Sequence, residues 1–87
     1  MYVIAIYDVE ARRCPKVHKF LKKYLTWIQN SVFEGEVSDA DFKIIKSEVK
    51  KKINKKEDSV IFYNLGSNKW LGRDLVGVER NVISNVI

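Results

Sequence analysis

Cysteine is nearly missing from this chain of 87 residues: Cys14 is the only one. That excludes an intramolecular disulfide and any zinc site built from several cysteines, and it fits a reducing, cytoplasmic setting. Proline occurs once, at Pro15, and histidine once, at His18. No apolar run approaches the roughly 18 residues of a membrane span. The apolar N-terminal stretch carries neither a basic leader nor a small-residue cleavage pattern. Membrane and secreted classes are set aside on these grounds. Also missing are a glycine-rich phosphate loop, a dinucleotide fingerprint and a nucleophile elbow. With no repeat, low-complexity linker or composition break, residues 1–87 read as a single domain.

What is present describes an ordinary globular chain, 46% hydrophobic and 31% charged. A domain of this size buries only about 60 to 65% of the surface its unfolded chain exposes, so self-association would help it. Sixteen Lys and Arg against eleven Asp and Glu leave a net charge of +5. The isoelectric point is near 9.4. That balance favours a polyanionic partner, nucleic acid first.

The β-branched, apolar run from Tyr2 to Ile6 predicts a buried strand that delivers Tyr7 and Asp8 to a sheet edge. From Pro15 to Leu25, apolar Val17, Phe20, Leu21, Tyr24 and Leu25 keep helical spacing, with Lys16, Lys19, Lys22 and Lys23 largely on the other side. Pro15 suits the first turn, where its missing N–H has no intrahelical partner to lose. Trp27 to Val37 returns to extended character, with a tight corner at Asn30-Ser31 and a bulge or bend at Gly35. Ser38 caps a second helix, with Asp39 and Asp41 in its first turn at the positive end of the dipole. Its inward stripe is Phe42, Ile45, Val49 and Ile53, while Lys43, Lys46 and Lys50 face outward. The charge run from Lys50 to Lys56 reads as a solvated helix terminus and loop. Val60 to Leu65 is a strand, Gly66-Ser67-Asn68 breaks it, and Leu71 to Val78 holds at most one further short strand. This order predicts an α+β, ferredoxin-like βαββαβ sandwich with an extra short C-terminal strand.

Asp8 is the one carboxylate whose position suggests chemistry. Its ordinary reading is a turn residue or helix cap. Its functional reading is a ligand for Mg²⁺ or Mn²⁺, since a hard divalent cation keeps several waters and needs only one or two protein carboxylates. One Asp makes a poor site, but two copies across the two-fold axis of a homodimer would hold the metal and activate a water for phosphodiester hydrolysis. Glu10, Glu34 and Glu36 read as solvated surface, and His18 as an exposed histidine among lysines. Arg12, Arg13 and Lys16 follow Asp8 and read either as a basic turn or as phosphate contacts. Trp27, Phe33, Tyr63 and Trp70 are core or interface aromatics before they are base-stacking platforms.

Taken together these residues resemble the CRISPR-associated adaptation proteins of the Cas-two family, from Tyr2 to about Tyr63. The resemblance is carried by the strand ending Tyr7-Asp8, by Arg12-Arg13 with Lys16-Val17 and Leu21, by Gln29-x-Ser31-Val32-Phe33-Glu34-Gly35, and by Asp58-Ser59-Val60. It departs at Trp27, where many relatives carry a basic residue, and at Tyr24-Leu25, where Tyr-Gly is frequent. The resemblance implies a cytoplasmic homodimer whose C-terminal strand can add to the partner's sheet. It implies a CRISPR adaptation role, the dimer bridging Cas-one integrase dimers and laying double-stranded protospacer DNA across its basic surface. In some members it implies a metal-dependent endonuclease acting on single-stranded RNA or double-stranded DNA. The match makes Asp8 the catalytic residue and Mg²⁺ ligand, and gives Arg12, Arg13 and Lys16 the phosphate contacts. Two other readings of the same shape stay open at this point: a ribonuclease toxin of the virulence-associated D type, and a nucleic-acid-binding module without catalysis, although aromatic-rich RNP segments are not visible.

Overall fold

The computed structural model describes residues 1–66 and 71–79. Its elements are β1 (Tyr2–Asp8), a single 3₁₀ turn (Ala11–Arg13), α1 (Cys14–Leu21), β2 (Thr26–Gln29), β3 (Val32–Glu36), α2 (Asp39–Lys52), β4 (Ser59–Leu65) and β5 (Leu71–Gly77). They form one antiparallel sheet in the order β2-β3-β1-β4-β5. The first four strands and two helices make the expected ferredoxin-like βαββαβ unit, and β5 extends it. No described helix is long and apolar enough to cross a membrane.

One sheet face is buried. Val3, Ala5 and Tyr7 alternate along β1 and pack with Phe33 of β3 and Val60 and Phe62 of β4 under the apolar sides of both helices. The helices contribute Val17, Phe20 and Leu21 from α1 and Phe42, Ile45 and Val49 from α2. Ser38 accepts a hydrogen bond from the Asp41 amide at 3.0 Å and Ile53 closes the far end of the core, as the spacing predicted.

The structure differs from expectation at three places. α1 ends at Leu21 rather than Leu25, because the last amides turn back on short bonds, Lys23 to the Phe20 carbonyl and Tyr24 to that of Leu21. The hairpin turns at Asn30, whose φ is +45°, as expected for the corner. Its irregularity, however, lies in β2 between Trp27 and Gln29, while Gly35 pairs in register with Val3. A side chain at Gly35 would press on Leu25, so this glycine serves close packing and not a bulge. Finally, the last strand has seven residues, as many as β1 and β4, and it pairs with β4 of its own chain. Residues 67–70 and 80–87, and with them Trp70 and any strand reaching a partner, lie outside the described residues.

Candidate metal and nucleic-acid site

Asp8 is the last residue of β1, which is the central strand of the sheet and not an edge. Its position is instead a strand end, paired with Ser59 at the start of β4. Alternation puts it on the face opposite the helices, with Tyr2, Ile4 and Ile6. In-register partners extend that face through Ile61, Tyr63 and Leu65 of β4 to Leu75, Arg73 and Leu71 of β5. No element covers it among the described residues. Tyr2, Ile6 and Leu65 are each about two-fifths exposed and Leu71 is 71% exposed. Asp8 itself is exposed at one end of this apolar surface.

The turn after Asp8 is held by Asp58, which the sequence offers only as part of the Asp58-Ser59-Val60 pattern and without a role of its own. Asp58 is fully buried, and its carboxylate accepts from the Glu10 amide (2.9 Å), the Asn54 amide (2.8 Å), Arg13 Nε (2.6 Å) and a terminal nitrogen of Arg13 (3.1 Å). The Arg13 guanidinium beside it, outweighing burial, holds its carboxyl down at about 2, and the two amides add to the effect. Arg13 also bonds Glu57 at 2.9 Å and is itself raised by these partners. Glu10 caps the 3₁₀ turn by accepting from the Arg12 amide. The segment Val9 to Arg13 is thereby pinned to the start of β4, which fixes where Asp8 stands.

The basic residues named from the sequence fall into different surroundings. Arg13 spends its charge inward on Asp58 and Glu57, with only 17% of its side chain exposed. Arg12 is exposed and touches Glu10 at 3.2 Å, and Lys16 is exposed on the first turn of α1. His18 is half-buried rather than exposed: its ring lies edge-on to Phe33 and Trp27, with Nδ1 3.4 Å from the Tyr7 hydroxyl. Phe33 is core, whereas Trp27 is 49% exposed and donates its indole N–H to the Asn30 carbonyl, clamping the hairpin. Among the described residues no three His, Cys, Asp or Glu side chains gather into a metal cage.

A family model described as CRISPR associated protein Cas2 matches residues 1–72. The chain belongs to the Cas2 family. Proteins named CRISPR-associated endoribonuclease Cas2 resemble it along most or all of their length. The one from Dictyoglomus turgidum is 51% identical over 93% of both chains, and the one from Pyrococcus furiosus 48% over the whole of both. That from Methanocaldococcus jannaschii is 47% identical over the whole of this chain and 76% of the relative. Among solved structures, Streptococcus pyogenes Cas2 superposes with a TM-score of 0.70 at 39% identity, covering 78% of this chain and 89% of that one. Another, titled as cas2, gives 0.68 at 44% identity over 94% and 98%. The Cas2 match decides, at the level of family, among the three readings the sequence left open. It spans Asp8, the Arg12 to Lys16 segment and the Asp58 latch, and ends two residues into β5.

Proposed function

We propose that this Cas2 protein is a CRISPR adaptation subunit that works as a homodimer, bridges two dimers of a Cas-one integrase and holds double-stranded DNA through Arg12, Lys16 and neighbouring cations. The observation that carries this reading is the apolar sheet face with Asp8 at its end, which no element covers among the described residues. A face of this kind is unusual on a free monomer, and a two-fold partner offering the same face would cover it.

The same pairing bears on a metal. One Asp8 is too few donors for Mg²⁺ or Mn²⁺, but two, one from each protomer, suit a hard cation that keeps most of its waters. When bound there, such an ion supplies Lewis acidity and a water of lowered pKa for phosphodiester hydrolysis. The chain's own part is to hold the two carboxylates by the Asp58 latch and to steady phosphates through Arg12 and Lys16. Relatives named endoribonucleases make RNA a substrate to assay alongside duplex DNA.

Light scattering at micromolar concentration tests the reading. Wild type is expected at twice the chain mass, and Ile6→Asp, which sets a charge in the middle of the apolar face, at the monomer mass. A monomeric wild type would overturn both the bridge and the paired Asp8 site.

A further inference from the structure

Lysines concentrate on the two helices, although α2 also carries Asp39, Asp41 and Glu48. Cys14 through Leu25 contains four lysines and no acid, and α2 adds five lysines, three of them in its last turn. The helices therefore present cations on the side of the sheet away from Asp8. Where α1 and α2 meet they leave an open groove of about 590 Å³, with Lys16, Lys19 and Lys23 on one wall and Lys51 and Lys52 on the other. Phe20 forms part of its floor, and Lys52 holds its ammonium 4.9 Å from the Phe20 ring centre, at the groove's rim.

The lysines of the first wall are unspent. Lys46, outside the groove, is matched with Asp74 at 3.6 Å. No described carboxylate forms an ion pair with Lys16, Lys19 or Lys23. The single acid in the groove is Glu48, bonded to Lys51 at 3.1 Å. Its carboxyl is held below the usual range by Lys51 first, with Lys52 and Lys23 adding to the effect, which registers a positive field across both walls.

We propose that this groove between α1 and α2 is a docking surface for the phosphate backbone of duplex DNA. The proposal rests on the DNA-binding reading above and locates its main contact surface away from the Asp8 face. Lys16 and Lys19 stand about one turn apart on α1 and Lys23 follows in the turn beyond it, a row of cations able to meet successive phosphates of one strand, spaced about 3.4 Å along its axis. Lysine ammoniums contact phosphate as point charges and read no bases, so binding is indifferent to sequence and steeply dependent on salt. A dimer closed through the sheet faces leaves both grooves outward and accessible.

The test compares two triple variants of the full chain, each removing three charges and each checked for an unchanged melting transition. The groove variant is Lys19→Gln, Lys23→Gln and Lys51→Gln; the comparison variant is Lys22→Gln, Lys55→Gln and Lys56→Gln, exposed lysines outside the groove. Binding to a duplex of mixed sequence is followed by fluorescence anisotropy across a salt series. The groove variant is expected to lose at least about tenfold in affinity at low salt and about two to three in the log–log salt slope. The comparison variant should lose clearly less. Equal losses in both would reduce the groove to diffuse charge and overturn the proposal. So would an unaltered groove variant when Arg12→Ala weakens binding, which leaves the DNA reading standing. A groove variant that keeps DNA but no longer co-purifies with the integrase would assign the surface to a protein instead. Failure of wild type to bind duplex DNA at low salt would remove the DNA reading itself, and the groove with it.

Discussion

Four donors converge on the carboxylate of Asp58, and this single side chain ties together the turn after β1, the loop before β4 and the guanidinium of Arg13. Asn in its place keeps the shape but turns an NH₂ toward donors and strands a largely buried Arg13. Breaking such a pair from one side costs about 3 to 5 kcal/mol. Asp58→Asn is therefore expected to lower the midpoint of thermal unfolding by more than 10 °C, at roughly 4 to 8 °C per kcal/mol for a domain of this size. The pH dependence has a definite sign. A carboxyl held at about 2 in the fold, against 3.8 unfolded, gives stability that is complete above pH 4 to 5 and lost as pH falls through 2. Denaturant melts should show wild type losing about 2 kcal/mol more than Asp58→Asn between pH 5 and pH 2. Asp8 calls for the opposite outcome, since it lies exposed at the end of a strand. Asp8→Asn should abolish any Mg²⁺-dependent cleavage of RNA or DNA while dimer mass and duplex affinity stay within about twofold. Cleavage at the wild-type rate would assign the activity to another site or a contaminant, and an unfolded variant would make Asp8 a structural turn residue.

At the scale of elements, the pairing of β4 with β5 ends where Gly77 faces Ser59. The φ of Gly77 is +104°, and a Cβ there would collide with the carbonyl oxygen of Asp58, which also accepts from the Val78 amide at 2.8 Å. Gly77→Ala is expected to destabilise by about 2 kcal/mol or more, read from equilibrium urea unfolding. A variant as stable as wild type would show that the end of β5 is not held in this conformation. These two strands also mark the limit of what could be read in advance. Helix α2 was legible because its stripe and its Ser38 cap are local in sequence. β1 was legible as a strand, but its central place depends on pairing with β3 and β4, which no local pattern states. β5 looked short because Gly72, Arg73 and Asp74 interrupt its apolar residues, although each pairs in register with β4. Gly72 fits there by packing against the Asn64 side chain. Asp58 was legible only as part of the Asp58-Ser59-Val60 pattern at the start of β4, and its role was not, because Glu10 and Arg13, which donate to it, lie 48 and 45 residues away in the chain. Arg13 was misleading for the same reason, since its partner lies 45 residues away in the chain.

For the whole molecule the decisive feature is that its two faces differ in kind. Among the described residues the helical face carries most of the lysines and the groove between α1 and α2, while the sheet face carries Ile4, Ile6, Ile61, Tyr63, Leu65, Leu71 and Leu75 with Asp8 at one end. The fold requires one covered side for its core, and α1 and α2 provide it. Among the described residues no third helix lies over the second side. If a second copy covers it, folding and association are linked, and stability must rise with protein concentration. The midpoint of thermal unfolding is then expected to increase by several degrees over a hundredfold rise in chain concentration, and the Ile6→Asp variant should melt lower and show no such dependence. A wild-type midpoint independent of concentration, together with monomer mass in solution, would mean that the apolar face is tolerated uncovered, and the two Asp8 carboxylates would have no reason to meet.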